Sequence, residues 1–392
     1  MKIVIYSHSF SPAVGGTETI VMFLARGLSE LVGPDLEITV ATPTPGDSVS
    51  DSHLPFHVIR EVGPKTLFRL FRKADVIHLA GPSLLPILIG WLLKKPVVVE
   101  HHGFQAICPN GQLLYETARK QCPGHFMAKH YLKCLGCNSK TGRMRSLRML
   151  LLTFPRRMAC KHLSANLFPT QWLGRVLQLP RGVVIHHGLP DTGPPIVRIK
   201  PALPTFTFLG RLVSTKGAHV LLQAADLLRR NNLNCNIKII GEGPDREGLE
   251  KLASDLQLKS CVEFLGYASH EQLAKALIKT TAIVVPSLAG EVFGLVVLES
   301  MLRKECLIVS DIPSLREVIG DTGLVFPAGN AEALASCMRQ LVETPSLGDL
   351  LGSAARERAL ELFSLERMLS AHVSVYRENR CEPQSRDHVT RS

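Results

Sequence analysis

Short β-branched runs alternate with helix-like segments along this chain, in two successive series. In the first half, strand-like runs lie at residues 3–6, 37–41, 76–79 and 96–100, with helical periodicity at 17–31 and 84–93. The second half repeats the pattern, with strand-like runs at residues 206–209, 237–240, 262–265, 281–285 and 307–309. Such alternation predicts βαβ units, in which helices cover both faces of a parallel sheet.

A proline-rich stretch at residues 191–204 divides the two series. The 392-residue chain is long enough for two domains, because single cores rarely grow beyond about 250–300 residues. We therefore predict an α/β protein with two Rossmann-like domains, residues 1–190 and 205–362, joined by a linker at 191–204. Helical segments near the end predict a helix at 363–380 that crosses back onto the first domain. Residues 381–392 are expected to form a disordered tail.

Positive charge is concentrated in the first half of the chain. The formal net charge is +11, and residues 1–190 carry 22 lysines and arginines against 10 acids, whereas the remainder carries 23 against 24. This asymmetry predicts an anionic partner for one face of the first domain, with a generally basic solvated surface as the alternative. No basic region with regularly interleaved aromatic residues occurs, so we do not expect nucleic acid as the partner.

The N-terminus begins directly with a strand-like run and shows no pattern of a secretion signal. The most apolar segment, residues 84–93, is shorter than the roughly 20 residues that span a bilayer. We therefore expect a cytoplasmic protein. Residues 142–162 mix arginines with Met, Leu and Phe, which fits either a peripheral contact with an anionic membrane surface or a domain helix with one buried face. Pro155 is expected to limit any single helix there.

Four of the ten cysteines fall within an insertion at residues 104–140 that lacks clear periodicity. They are Cys108, Cys122, Cys134 and Cys137. Their spacing is C-x13-C-x11-C-x2-C, and only the last pair has the short separation typical of a zinc knuckle. We expect a structural zinc site here, with reduced thiols or a disulfide as the alternatives.

The sequence PSLAGEVFGLVVLE at residues 286–299 carries two carboxylates around a glycine turn. A helix that begins near Gly294 leaves its first N–H groups available to bind phosphate. Glu291 then precedes the helix and Glu299 lies about one turn inside it, so the two acids can bracket a bound diphosphate. An ordinary strand-turn-helix unit with two surface glutamates is the alternative.

Three further loops follow predicted strands, at the sheet edge where parallel sheets bind their ligands. The loop GRLVSTKG at 210–217 carries Arg211 and Lys216, which can neutralise a diphosphate or remain solvated at the surface. Gly15 and Gly16 allow close approach of a ligand to the backbone, or form a plain tight turn. The sequence HHG at 101–103 places a histidine at a strand end, where it can serve a substrate or fill a structural position.

These sequences, in this order, resemble the retaining nucleotide-sugar glycosyltransferases of family 4. The resemblance covers most of the chain and rests on SPAVGGTE, HHG, FLGRLVSTKG, GEGP, PSLAGEVFGLVVLESM and TGLVFP. It implies the GT-B fold, in which two Rossmann-like domains face each other across a cleft. It also implies transfer of a sugar from a nucleotide-diphosphate donor to an acceptor hydroxyl, with no cofactor required for catalysis.

The resemblance assigns roles to individual positions. Arg211 and Lys216 are expected to neutralise the leaving diphosphate, Glu291 to hold hydroxyls of the transferred sugar, and Glu299 to hold the ribose. His102 matches the histidine near the transferred sugar, although His101 takes that place if the register differs by one. The expected catalytic residues are His102, Glu291, Arg211 and Lys216, and the expected donor-binding residues are Gly15, Gly16, Gly210, Arg211, Lys216, Glu242, Gly243, Tyr267, Glu291, Phe293, Gly294, Leu295, Val296 and Glu299.

One position departs from the family pattern, because His187-Gly188 replaces the usual asparagine-glycine pair that opens the linker. The basic first half favours a lipid-linked or phosphorylated acceptor in cell-envelope glycan or glycolipid synthesis, at the inner face of the membrane. A sugar-nucleotide epimerase or phosphorylase on the same fold is an alternative. A non-catalytic protein that binds anionic ligands is another, but it leaves the carboxylates and glycine loops of the second half unexplained.

Overall fold

The computed structural model describes residues 1–380 apart from 14, 31–34, 47–50, 119, 138–141, 192–198 and 200. Two parallel sheets organise it, as the alternating pattern predicts. The predicted linker lies largely outside the described residues, and the predicted tail lies wholly outside them.

The first domain is built on seven parallel strands. They are β1 (Lys2–Ser7), β2 (Glu37–Ala41), β3 (His57–Ile59), β4 (Val76–Ala80), β5 (Val97–Glu100), β8 (Ala165–Phe168) and β9 (Gly182–Val184), in the order β3-β2-β1-β4-β5-β8-β9. A small hairpin of β6 (Leu114–Tyr115) and β7 (Lys120–Gln121) lies in the cysteine insertion. The helices are α1 (Gly16–Glu30), α2 (Pro64–Lys73), α3 (Leu84–Leu92), α4 (Tyr131–Cys137), α5 (Arg143–Lys161) and α6 (Gln171–Leu177).

The central strands β1, β4 and β5 are almost wholly buried runs of valine and isoleucine, as expected for strands covered on both faces. Besides Ser7, two polar residues are buried in these strands: His78 in β4 is 0% exposed and Glu100 at the end of β5 is 1% exposed. Buried polar groups in such positions need partners, which makes these two residues conspicuous.

The second domain repeats the architecture with six parallel strands. They are β10 (Thr205–Leu209), β11 (Asn236–Ile240), β12 (Val262–Gly266), β13 (Ala282–Val285), β14 (Leu307–Ser310) and β15 (Leu324–Phe326), in the order β12-β11-β10-β13-β14-β15. A 3-10 turn covers Ser214–Lys216. The helices are α7 (Ala218–Arg230), α8 (Arg246–Asp255), α9 (His270–Leu277), α10 (Leu295–Leu302), α11 (Pro313–Ile319), α12 (Ala331–Glu343) and α13 (Pro345–Leu362).

The last helix, α14 (Leu365–Glu378), crosses back onto the first domain, as predicted. The side chain of Ser364 caps its N-terminus by accepting a hydrogen bond from the backbone N–H of Arg367. The helix packs against α1 so closely that a Cβ atom at Gly27 would lie 2.6 Å from Leu369 Cδ1. Tyr376, which is 0% exposed, is among the large side chains that α14 buries.

The expectation that Pro155 would limit the helix at residues 142–162 is wrong. Helix α5 runs unbroken from Arg143 to Lys161. A proline removes one helical hydrogen bond, that to the carbonyl four residues earlier. That residue, Leu151, is 57% exposed, and buried side chains such as Leu150 and Cys160 hold the helix on both sides of the proline. None of the described helices combines the length and apolar composition needed to cross a bilayer.

Candidate active site

Four loops meet at the carboxyl edge of the second sheet, and backbone hydrogen bonds join them. Leu212 donates to the carbonyl of Glu242 at 2.8 Å, and Gly241 donates to that of Gly266 at the same distance. Leu288 donates to the carbonyl of Thr215 at 2.7 Å. The loops that carry the predicted donor-binding residues therefore form one continuous surface.

Glycine is required where two of these loops touch. Gly217 has φ +69°, and a Cβ atom there would overlap with the carbonyl oxygen of Pro286. This contact holds the lysine-bearing loop against the stretch that carries Glu291, because only glycine combines this backbone conformation with so close an approach.

Lys216, Ser287 and Glu291 form the charged centre of this surface. Lys216 Nζ makes an ion pair with Glu291 Oε1, and Ser287 Oγ donates to the same oxygen at 2.8 Å. Burial alone would raise the pKa of Glu291, but Lys216, the Ser287 hydroxyl and the charge of Arg211 outweigh it and hold that pKa below its ordinary value. The sequence-predicted pair of acid and lysine is thus in direct contact, with the carboxylate ionised.

Helix α10 begins where the sequence predicts. Gly294, with φ +90°, precedes its first residue, and a side chain at this position would overlap with Leu315. Glu299 lies about one turn inside the helix and is partly buried. Burial raises the pKa of Glu299, and the nearby Arg303 only partly offsets this.

The first domain reaches this region from three places. A Cβ atom at Gly16 would lie 3.4 Å from Leu295 Cδ1, so the double-glycine loop lies at the start of α10. A Cβ atom at Gly290 would lie at the same distance from the carbonyl oxygen of Gln112, which belongs to the cysteine insertion. Thr170 Oγ1 donates to the backbone carbonyl of Val292 at 3.0 Å.

The structure separates the two candidate histidines. His101 is 0% exposed, its Nε2 lies 2.9 Å from Asn166 Oδ1, and its ring stacks on Phe168. Burial lowers the pKa of His101 to about 4. The His102 Nε2 atom instead lies 3.5 Å from Glu100 Oε2. His101 is therefore a core residue. The His102 side chain is also largely buried, at 7% exposed, and its role near the transferred sugar stays a prediction.

The remaining donor-binding candidates occupy different environments. Glu242 is half exposed and forms an ion pair with Arg246, and Tyr267 is 67% exposed, so both lie at the rim of the loop surface. Phe293 is 1% exposed and its ring lies 4.9 Å from that of His187 and 5.5 Å from that of Phe363. Only the main chain of Phe293 is therefore available to a donor. Gly15, Gly210, Gly243 and Val296 lie in the same loops or at the start of α10.

The sequence did not predict the cluster of buried histidines around Glu100. Four imidazole Nε2 atoms face its carboxylate, at distances of 3.3 Å (His78), 3.5 Å (His102), 3.3 Å (His187) and 3.7 Å (His372). Burial alone would raise the pKa of Glu100, but the facing histidines, His102 first, hold it well below its ordinary value. The available signal was a charged residue at the end of the run VVVE and a histidine within VIHLA.

The four cysteines of the insertion lie in one region as reduced thiols. Burial raises the pKa of Cys134 to about 12, and the thiols of Cys108, Cys122 and Cys137 add to the increase. Cys137 Sγ accepts a hydrogen bond from the backbone N–H of Glu116 at 3.3 Å. Within the described part of the chain, three or more potential ligand atoms lie within 4.8 Å of one another only around Glu100. Zinc prefers thiolate ligands, but no three of these thiols lie within 4.8 Å of one another in the described part of the chain. The zinc site in the insertion therefore stays a prediction.

Comparison with solved structures identifies the architecture. The crystal structure of Anabaena HepE in complex with UDP and glucose superposes on 96% of this chain and 100% of its own, with a TM-score of 0.72 at 15% sequence identity. The molecule has the GT-B fold. The two parallel-sheet domains and the returning helix α14 are the two halves and the crossover of this GT-B molecule.

The second GT-B domain also matches known proteins in sequence. Residues 194–358 match the family model described as glycosyl transferases group 1. The α-D-kanosaminyltransferase of Streptomyces kanamyceticus is 29% identical over 177 residues, which are 45% of this chain and 46% of that protein. The phosphatidyl-myo-inositol mannosyltransferase of Mycolicibacterium smegmatis is 32% identical over 157 residues, or 39% and 40% of the two chains. The chain thus spans less than half the length of these relatives.

Proposed function

We propose that this protein is a retaining glycosyltransferase of family 4, which moves a sugar from a nucleotide-diphosphate donor to an acceptor hydroxyl without a catalytic metal. One observation carries the proposal. An ionised, buried carboxylate, Glu291, contacts Lys216 directly in front of the N-terminus of α10. The sequence match of the second domain to group 1 glycosyltransferases supports it.

The chemistry of sugar transfer fits these charges. When a diphosphate leaves a sugar, negative charge grows on the phosphate and positive charge grows at the anomeric carbon. Lys216 and Arg211 supply fixed positive charge, and the first N–H groups of α10 add donors for the departing phosphate. In a metal-independent reaction these groups do the work that a divalent cation does in other transferases.

Glu291 acts in this proposal as a positioning group for the hydroxyls of the transferred sugar, and not as a nucleophile. The acceptor attacks from the same face that the phosphate leaves, and the phosphate receives the proton of the acceptor hydroxyl. The anomeric configuration is thereby retained. Glu299 holds the ribose, and the rim residues Glu242 and Tyr267 surround the nucleobase. His102 approaches the transferred sugar from the first domain.

The donor is identified first by thermal shift against UDP-, GDP- and ADP-sugars, because a ligand that binds only the folded protein raises its melting temperature. The identified donor, labelled in the sugar, is then incubated with and without an acceptor. We expect transfer only with acceptor, a product with the donor's anomeric configuration, and a rate unchanged by added Mg²⁺ or Mn²⁺. Conversion of the sugar without acceptor would indicate an epimerase, and an inverted product would contradict retention.

The acceptor side carries a second proposal, which concerns a surface of the first domain. Helices α2, α3 and α5 pack side by side, α3 in the middle. They expose apolar side chains that we call the membrane face: Phe68, Leu85, Leu88, Trp91, Leu92, Leu147, Leu151, Phe154 and Met158. A groove of about 670 Å³ between α2 and α3 includes Lys65 and Arg69 beside Phe68 and Leu85.

We infer that the membrane face binds an anionic lipid surface at the cytoplasmic side and brings the enzyme to a lipid-linked acceptor. Exposed apolar side chains flanked by Lys and Arg suit insertion into the headgroup boundary, with the cations on lipid phosphates. The helices contribute such cations, among them Arg143, Arg145 and Arg148. One relative's name, phosphatidyl-myo-inositol mannosyltransferase, indicates an acceptor of this type for that protein.

Vesicle co-sedimentation tests the membrane face. Wild-type protein should bind vesicles that contain phosphatidylglycerol and should not bind pure phosphatidylcholine vesicles. The double variant Leu88→Ser/Leu92→Ser and the triple variant Arg143→Ser/Arg145→Ser/Arg148→Ser should each lose most of this binding. Leu350→Ser is the matched control, because Leu350 is 66% exposed on the second domain. Undiminished binding by both multiple variants would refute the inference.

A further inference from the structure

The carboxylate of Glu100 is buried and faces four imidazoles without a well-formed hydrogen bond to any of the described residues. Its Oε2 atom lies 3.3 Å from His78 Nε2 and 3.7 Å from His372 Nε2, beyond the 2.7–3.2 Å range of an N–H···O hydrogen bond. Neither oxygen of Glu100 and neither of these nitrogens has a hydrogen-bond partner among the described residues. A buried charge in this condition is costly unless another ion compensates it.

The tautomer of His372 also indicates that a positive charge is needed beside Glu100. His372 Nδ1 lies 2.8 Å from the backbone carbonyl oxygen of Met368. A carbonyl oxygen only accepts hydrogen bonds, so Nδ1 carries the hydrogen and the Nε2 atom of the neutral ring presents a lone pair. This lone pair faces the Glu100 carboxylate, which also presents lone pairs. A positive centre between them, either a proton on Nε2 or a metal ion, resolves the conflict.

The spacing suits a bound metal ion. Ligand atoms about 2.0–2.1 Å from a tetrahedral zinc ion lie about 3.3–3.4 Å from one another. The distances from Glu100 Oε2 to the two nitrogens are close to that value, and all three atoms lie within 4.8 Å of one another. The residues are 0–1% exposed.

The outer partners of the histidines also match a metal site. Ligating histidines usually have their second ring nitrogen fixed by a hydrogen bond, which sets the tautomer and ring orientation. His372 Nδ1 is fixed by Met368, and His78 Nδ1 lies 2.8 Å from the Tyr376 hydroxyl. Both partners lie on α14. His102 and His187 approach the Glu100 carboxylate as well, but among the described residues neither has a hydrogen bond that fixes its second ring nitrogen, which distinguishes them from the proposed ligands.

We propose that His78, Glu100 and His372 bind a divalent transition metal, with zinc favoured by the two imidazoles and the carboxylate. The ion joins strands β4 and β5 of the first domain to α14, the helix that returns from the second domain. His187 Nε2 lies 3.3 Å from Glu100 Oε1, the carboxylate oxygen that faces away from the two proposed histidine ligands. The site is buried, and none of its three ligands belongs to the donor-binding residues, although Glu100 Oε2 also lies 3.5 Å from His102 Nε2.

Zinc content measured by mass spectrometry tests the proposal. The untagged protein is prepared in a Cys134→Ser/Cys137→Ser background, which removes the short thiol pair of the insertion from the measurement. After incubation with Zn²⁺ and desalting, this background should retain one zinc per chain. His78→Gln and His372→Gln in the same background should retain less than a tenth of that amount. His162→Gln, at an exposed histidine that ends α5, should retain it fully.

A second measurement needs no histidine variant and therefore covers the case in which the variants fail to fold. X-ray absorption at the zinc edge of the cysteine background should show nitrogen and oxygen ligands with imidazole scattering, and added zinc should raise the melting temperature of metal-free protein. Three results would each overturn the proposal: a background protein that retains no zinc and is not stabilised by it, folded histidine variants that retain zinc fully, or a spectrum with sulfur ligands. The first of these would instead indicate an imidazolium–carboxylate pair.

Discussion

Replacing Lys216 by methionine isolates the charge at the candidate active site. Methionine keeps most of the aliphatic chain but removes the cation that contacts Glu291, which is 7% exposed. Removal of one preorganised electrostatic group lowers kcat about 10²–10³-fold, or about 2.7–4 kcal/mol, and we expect this range for Lys216→Met. Stability should fall as well, because Glu291 is left as a buried charge.

The expected size of the loss in stability depends on how exposed the Lys216–Glu291 ion pair is. Removing one partner of a fully buried ion pair costs about 3–5 kcal/mol. The Lys216 side chain is 30% exposed, and Glu291 keeps its hydrogen bond from Ser287. We therefore expect a smaller loss, about 1–3 kcal/mol in the free energy of unfolding at pH 7.

The loss should depend on pH in a defined direction. In the wild type, the lowered pKa of Glu291 stabilises the protein above the unfolded pKa of about 4.3, and this contribution disappears as the pH falls through the folded pKa. In Lys216→Met, the charge and hydrogen bond of Lys216 no longer offset burial, so we expect the pKa of Glu291 to rise and the variant to lose stability above about pH 4.3 but not below it. The difference between the two proteins is therefore largest at pH 7 and shrinks towards pH 4.

Urea unfolding followed by circular dichroism at pH 7 and pH 5, together with kcat for the identified donor, measures these effects. Lys259→Met, at an exposed lysine, is the matched control and should change stability by less than about 0.5 kcal/mol. Glu291→Gln completes a double-mutant cycle. A stability difference that does not change with pH, or a turnover equal to that of the wild type, would refute the role assigned to the pair.

Two further predictions concern the scaffold around the site. Gly217→Ala should lower the free energy of unfolding in urea by at least about 2 kcal/mol, because a Cβ atom at φ +69° would overlap with the carbonyl of Pro286. The control Gly248→Ala, on the open side of α8, should leave this free energy unchanged or raise it slightly. Glu317→Ala should lower the free energy of unfolding by about 1 kcal/mol. The Glu317 carboxylate of the second domain accepts hydrogen bonds from the first two backbone N–H groups of α6 in the first domain, at 2.7 and 3.0 Å. A melting temperature equal to that of the wild type would contradict this prediction.

The elements that the sequence predicts well are those with continuous local signals. Buried parallel strands such as those at 97–100 and 307–310 begin with three consecutive apolar residues because both faces of the sheet are covered, and the start of α10 is marked by a glycine with positive φ. Short strands and strands at the edge of a sheet lack such a continuous apolar signal. Strand β3 is only three residues long and partly exposed, so its residues carry little pattern.

The Glu100 centre could not be predicted for a different reason. Its members come from β4, β5, the segment before the linker, and α14, and the hydrogen bond between His78 and Tyr376 spans 298 positions. No spacing rule connects residues so far apart. The sequence also could not predict that α5 continues through Pro155, because the packing of the turns on either side of the proline decides this.

Helix α14 also bears on how the molecule is made. It is encoded after both sheets, yet Leu369 and Tyr376 complete the core of the domain that leaves the ribosome first. The surface of α1 and the neighbourhood of Glu100 therefore stay uncovered during synthesis until α14, which follows both sheets in the chain, has been made. Truncation just before Leu365 would keep every strand of the second sheet and would leave the core of the first domain incomplete.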